Sequence, residues 1–239
     1  MPSWTVTNDT LTQLDSVDGV EEGSLSLTAR RLTPSAMDRV AVFVRAHPAL
    51  LESLSFEPGW RLERWDFSSF DFAAVCPALV SLTLGRCLVH PSVFAHPALE
   101  SLELRESKVV GPTEIKIGER ARGCGAPLRR IAATDSFTAQ KLTFGRRSKI
   151  EDVAWSVDED AADASPDEFV FDNCAELTSI YIHACGSWTL RLKGQLPSLR
   201  STTFDASQYC RYEIDVTKLE PESSEHARSL RSGVFGRED

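Results

Sequence analysis

The sequence has no apolar run approaching the roughly eighteen residues that a membrane-crossing helix needs, so no membrane partner is expected. Residues 1–20 carry neither the basic start nor the apolar centre of a secretory signal, which makes the cytoplasm the expected compartment. Metal-ligand spacing is missing as well. There is no C-x-x-C and no His-x-x-x-His, so zinc is not expected. Counting from Asp158, the acidic stretch from Val157 to Glu168 has Asp163 where a calcium loop requires glycine. Gly123-Cys124-Gly125 lacks the Lys-Ser/Thr of a phosphate loop, and no cofactor is expected. Positive charge is scarce. With 26 Lys and Arg against 35 Asp and Glu, the formal charge of -9 opposes binding to nucleic acid, which needs a cationic surface. A basic protein is the better electrostatic match.

What the chain does have is a phrase that returns: an apolar residue, two variable residues, a second apolar residue, one variable, a third. It reads Leu79, Leu82, Leu84; then Leu99, Leu102, Leu104; Leu128, Ile131, Ala133; Ile150, Val153, Trp155; and Leu177, Ile180, Ile182. Middle positions fall at Leu25, Leu54, Leu82, Leu102, Ile131, Val153 and Ile180, with a weaker member at Thr202, so the spacing is 20 to 29 residues. Units of that length are too small to bury their own apolar edge and must stack on their neighbours. Three residues past the third apolar position stand Gly59, Cys87, Ser107, Ser136, Asp158, Cys185 and Ser207, all small or polar.

The run from Cys76 through Leu79, Leu82 and Leu84 to Cys87 resembles the leucine-rich repeat family, particularly its cysteine-containing variety, and Cys174 to Cys185 repeats it. The resemblance spans roughly residues 24–207. It implies an α/β solenoid in which each phrase is a short strand of a parallel sheet and the small polar column closes the following turn. Alternation by itself places Leu82 and Leu84 inward and Ser81 and Thr83 outward. Between phrases, Ser35 to Ala46 reads as a helix, with Pro34 and Ser35 at its start and Pro48 beyond its end. Later connectors alternate like strands: Thr113–Ile117, Lys141–Phe144, Glu168–Phe171, Ser187–Leu192 and Arg211–Val216. Few helices and partly two-stranded rungs are therefore expected, with a right-handed β-helix as the rival architecture. Residues 1–23 are expected to form an N-terminal cap through Trp4, Val6 and Leu11. Residues 24–217 form the solenoid, and residues 218–239 a charged tail or short helix.

Candidate chemistry is thin. His47, His90 and His96 adjoin prolines and read as turn residues, whereas His183 lies on the outward side of its phrase near Tyr181 without an identifiable acid or nucleophile. Stacking the phrases gives three outward rows. One contains Ser101, Arg130, Asp152 and Ser179; the next Glu103, Ala132, Ala154 and Tyr181; the third Arg105, Thr134, Ser156, His183 and Asp205. The larger members, Glu103, Arg105, Arg130, Asp152, Tyr181, His183 and Asp205, form the candidate partner-binding set, because arginine and aromatic side chains dominate interface energetics. Arg130 and Asp152 also stand where they would simply pair across adjacent strands. The expected function is non-catalytic: a monomer that presents the concave sheet face of a leucine-rich repeat solenoid to another protein, as an adaptor does. An inhibitor or immunity protein neutralising a basic, nuclease-like partner is one alternative. A polysaccharide-active β-helix enzyme is the other.

The cysteines at repeat positions call for small buried side chains rather than bonds. Thiol titration of the unfolded protein without reductant should therefore find all six cysteines reactive, and recovery of four or fewer would indicate disulfides.

Overall fold

The computed structural model describes residues 2–22, 24–57, 64–118, 127–136, 139–157, 166–184, 186–205, 211–230 and 232–236. With strands numbered in chain order, a nine-stranded sheet contains β1 (Ser3–Val6), β2 (Leu25–Arg30), β3 (Leu51–Glu57), β5 (Ser81–Gly85) and β7 (Ser101–Arg105). It continues through β10 (Arg130–Thr134), β12 (Asp152–Ser156), β14 (Ser179–His183) and β16 (Ser201–Asp205). Spatial order follows chain order, and every neighbouring pair is parallel.

Each of these strands is followed by a return element. Early in the chain the returns are helical: α1 (Pro34–Ala46) and α2 (Phe72–Val75). The strands β4 (Trp65–Phe67), β6 (Cys87–Val89) and β8 (Lys108–Val109) form a small parallel sheet. Farther on, β9 (Glu114–Ile117), β11 (Lys141–Phe144), β13 (Glu168–Asp172), β15 (Ser187–Gly194) and β17 (Arg211–Leu219) form a second parallel sheet. The connectors that alternate in the sequence are therefore strands. After α3 (Glu225–Ser229), β18 (Gly233–Gly236) pairs antiparallel with β17. The described residues are mostly parallel sheet with few helices and form no closed barrel among themselves, an arrangement compatible with a solenoid or a β-helix. Among the described residues, no helix is long and apolar enough to cross a membrane.

The core lies between the large sheet and its returns. Leu82, Leu102 and Ile180 are each at most 1% exposed, as the middle position of the phrase requires. Trp155 on β12 meets Phe169 on β13 edge-on at 5.7 Å, and Phe169 meets Trp188 on β15 at 6.2 Å, tying the two sheets together. In the first third, α1 supplies the cover by burying Met37, Val40, Phe43 and Val44. Thr33, one residue ahead of the expected start, caps this helix by accepting from the Ala36 N–H at 3.4 Å. The N-terminal segment extends the sheet itself: β1 pairs with β2, Val6 is fully buried, and Trp4 packs on Phe43 at 6.0 Å. In the segment expected as a charged tail, Ala227 is fully buried.

The column of small polar residues has a direct physical cause. Arg86, Glu106 and Asp135, the first residues after strands β5, β7 and β10, adopt left-handed φ values of 54°, 47° and 47° that reverse the chain. The next residues fill the bend. Ser107 Oγ accepts from the Cys87 N–H at 3.0 Å, and Ser136 Oγ accepts from the Ser107 N–H at 3.0 Å. Ser107 Oγ also lies 2.9 Å from the carbonyls of Leu84 and Arg105, donating to one at a time, and Ser136 Oγ donates to the Thr134 carbonyl at 2.8 Å. A larger side chain would not fit, and an apolar one would strand buried amides. Gly59, Asp158, Cys185 and Ser207 of the same column lie outside the described residues.

One register expectation needs correction. Leu27, not Leu25, pairs with Leu54, because the pairing shifts between Leu25 and Ser26. The first phrase is therefore centred two residues later than its leucines suggest.

Replacing Leu102 with Ala should lower stability by about 2–5 kcal/mol in urea denaturation. Ser107→Ala should cost about 1–3 kcal/mol by leaving the Cys87 amide without an acceptor.

Candidate functional site

The outward rows of the large sheet stand in the register expected from the phrases. Arg130 lies between Ser101 and Asp152, and Ser179 follows. Glu103, Ala132, Ala154 and Tyr181 form the second row. Arg105, Thr134, Ser156, His183 and Asp205 form the third. The seven candidate residues thus occupy five consecutive strands, β7, β10, β12, β14 and β16. Glu103 and Tyr181 stand about 14 Å apart, three strand spacings, with only alanines between them. The two alanines are half-buried, and Tyr181 is exposed at 39%.

Ion pairs hold this face. Arg130 Nε approaches Asp152 Oδ2 at 3.4 Å, while Asp152 Oδ1 accepts from the hydroxyls of Thr178 at 3.1 Å and Ser179 at 2.7 Å. Arg105 donates from Nε to Glu103 at 2.8 Å, and Thr83 donates to the other Glu103 oxygen at 3.3 Å. Arg130 remains 69% exposed despite its pair, so its guanidinium is accessible to a partner. His183 is half-buried and stands in register between Ser156 and Asp205.

The arrangement is suited to recognition more than to chemistry. The residue types of a serine hydrolase do meet elsewhere, at Asp71, His90 and Ser92, but in the wrong order. Ser92 Oγ donates to Asp71 at 2.8 Å, and that bond holds the Asp71 carboxyl below the usual carboxylate range. His90 Nδ1 accepts from the Ser92 backbone N–H at 3.2 Å. A triad needs histidine between serine and carboxylate, whereas here the serine is in the middle. Asp71 and His90 cap α2 and the following 3-10 turn, Pro91–Ala95. His96 is equally structural. Its buried ring accepts at Nδ1 from Ala98 and Leu99 amides at 3.1 and 3.0 Å and donates from Nε2 to the Cys76 carbonyl at 2.9 Å. Among the described residues, no group of three His, Cys, Asp or Glu is placed to hold a metal. Cys76, Cys87 and Cys174 are buried free thiols; Cys124, Cys185 and Cys210 lie outside the described residues, as does most of the acidic stretch, 158–165.

A second feature escaped the sequence reading. At the ends of β2 to β7 nearest the corners, the molecule has a cleft of about 560 Å³. Arg30, Arg31, Arg86 and Arg105 line it together with Glu57 and Glu106. Thr5, Thr7 and Thr83 add hydroxyls, and Phe56 contributes an apolar edge. Arg105 belongs both to this cleft and to the candidate set. The signal was present: Arg31, Arg86 and Glu106 occupy the same place after their strands, each with positive φ. Centring the first phrase on Leu25 moved Arg30 and Arg31 out of the column and concealed it.

No protein-family model, no curated protein and no solved structure matches this chain.

Burial pushes the thiols of Cys76 and Cys174 up to about 12 from an ordinary 9.0. In the unfolded chain they ionise first, so stability that is fully present below about pH 9 is lost as pH rises toward 12. The drop in urea midpoint between about pH 8 and pH 10.5 should be smaller in a Cys76→Ala/Cys174→Ala variant than in the parent.

Proposed function

We propose that the chain is a leucine-rich-repeat-like solenoid that serves as a non-catalytic protein-binding module through the outward face of its nine-stranded sheet. The observation that carries this proposal is the single register shared by five adjacent strands. It brings Glu103, Arg105, Arg130, Asp152, Tyr181, His183 and Asp205 to positions on one face, although 102 residues of sequence separate the first from the last. The solenoid is supported by spatial order that follows chain order and by a return element after each strand. A surface built on such a sheet is rigid, so a partner meets preset side chains and little ordering is required on binding. The protein acts in the cytoplasm and is a monomer on its own.

A specific inhibitor of a basic partner is the second reading, favoured by the formal charge of -9, since complementary charge speeds association and suppresses wrong partners. The polysaccharide-active enzyme has less support. Asp152, the carboxylate it would use, is engaged by Arg130, Thr178 and Ser179.

Affinity capture on the immobilised protein followed by mass spectrometry identifies the partner. Arg130→Glu and Tyr181→Ala should each weaken that complex at least tenfold while leaving the thermal transition in place, as truncation of interface anchors does. If both variants bind like the parent, the sheet face is not the binding surface.

A further inference from the structure

The cleft at the corners of β2 to β7 has a charge opposite to that of the whole protein. Four arginines face two glutamates on its walls, and Glu103 pairs with Arg105 from beside it, which leaves a surplus of one positive charge in a chain whose formal charge is -9. Arg30 Nε lies 2.9 Å from Glu57, Arg86 Nε 2.8 Å from Glu106, and Arg105 2.7 Å from Glu103. Arg31 is different: among the described residues no carboxylate pairs with it.

The Arg31 backbone is nevertheless firmly held. Its N–H donates to the Glu57 carbonyl at 3.0 Å, and Asn8 donates to its carbonyl at 3.1 Å while accepting from the Thr33 N–H at 2.9 Å. Its φ of 51° is a left-handed conformation that a non-glycine residue adopts only at an energetic cost. Glycine or asparagine would suit that bend better, so arginine is explained by its side chain and not by the turn. A cleft of about 560 Å³ is the size that encloses a small molecule. Guanidinium groups present planar pairs of N–H donors that match a phosphate group, and threonine hydroxyls complete such a shell.

We propose that this cleft binds a small soluble molecule carrying a phosphate group, with Arg31 as the principal anchor and Arg30, Arg86 and Arg105 around it. A phosphate monoester carries close to two negative charges at neutral pH and so is drawn to the cationic walls. The site is independent of the protein-binding face, sharing only Arg105 with it, and stands or falls separately.

Calorimetric titration of the full chain with inorganic pyrophosphate at low salt tests it. One site is expected, weakening as salt rises. Arg31→Gln should reduce affinity at least tenfold, and because no carboxylate among the described residues pairs with Arg31 the variant should melt like the parent. Glu57→Gln, which removes an opposing charge, should tighten binding about threefold or more, an outcome that mere loss of structure would not produce. Arg211→Gln on the far sheet should change nothing. Unaltered binding by Arg31→Gln, or no binding by the parent, would overturn the site. Equal affinity for citrate would overturn its assignment to phosphate.

Discussion

The circuits that leave β2, β5, β7 and β10 turn the same left-handed corner, at Arg31, Arg86, Glu106 and Asp135, and the geometry of that corner governs what surrounds it. A left-handed residue reverses the backbone and points the following amide into the interior, where only a neighbour's side chain can satisfy it. Ser107 and Ser136 do so one level apart, each accepting from the amide of the preceding circuit. Their hydrogen bonds fix the spacing and register of consecutive strands. Once register is fixed, the apolar positions of the phrase coincide in a buried column and the variable positions coincide in outward rows. Core and candidate surface are thus two products of one constraint.

Much of the fold was legible because that constraint writes a period into the sequence. The inward leucines, the outward rows and the strand at Lys141–Phe144 all follow from alternation and spacing. Where the period is broken, legibility ends. In the first phrase Leu25 and Leu27 are both buried, so hydrophobicity does not say which of them pairs with Leu54; a bulge decides it. That two-residue ambiguity hid the arginine cleft. The end of the chain was illegible for another reason. Charged residues between Glu220 and Arg231 conceal Ala227 and Ser223, whose burial depends on contacts with distant circuits such as the bond from the Leu196 N–H to Ser223 Oγ at 3.1 Å.

Charge is organised locally, and whole-chain charge is a poor guide to it. On the second sheet, Glu168 lies 2.8 Å from Lys141 and also pairs with Arg191, which reaches Asp215 at 3.3 Å. Burial raises the Glu168 pKa, but the two cations outweigh it and hold the carboxyl below its usual range. At the edge of the first sheet, Arg129 gathers Glu151, Glu100 and Glu176 around one guanidinium. These exposed clusters consume their own charge. In the cleft, Arg30, Arg86 and Arg105 have carboxylate partners as well, and among the described residues Arg31 adds a cation that no carboxylate pairs with.

The antiparallel pairing of β18 with β17 has a bearing on self-association. A stack of parallel strands ends in unpaired amides and carbonyls that would template another copy of the same stack, as exposed sheet edges do in fibres. Along Arg211–Ile214 of β17, β18 takes those groups and runs the opposite way. The outer edge that it presents is four residues long and reversed in direction relative to the rest of the sheet. Along Arg211–Ile214 a second copy would meet a strand reversed relative to the ladder, so the reversal disfavours filament growth through that part of the second sheet.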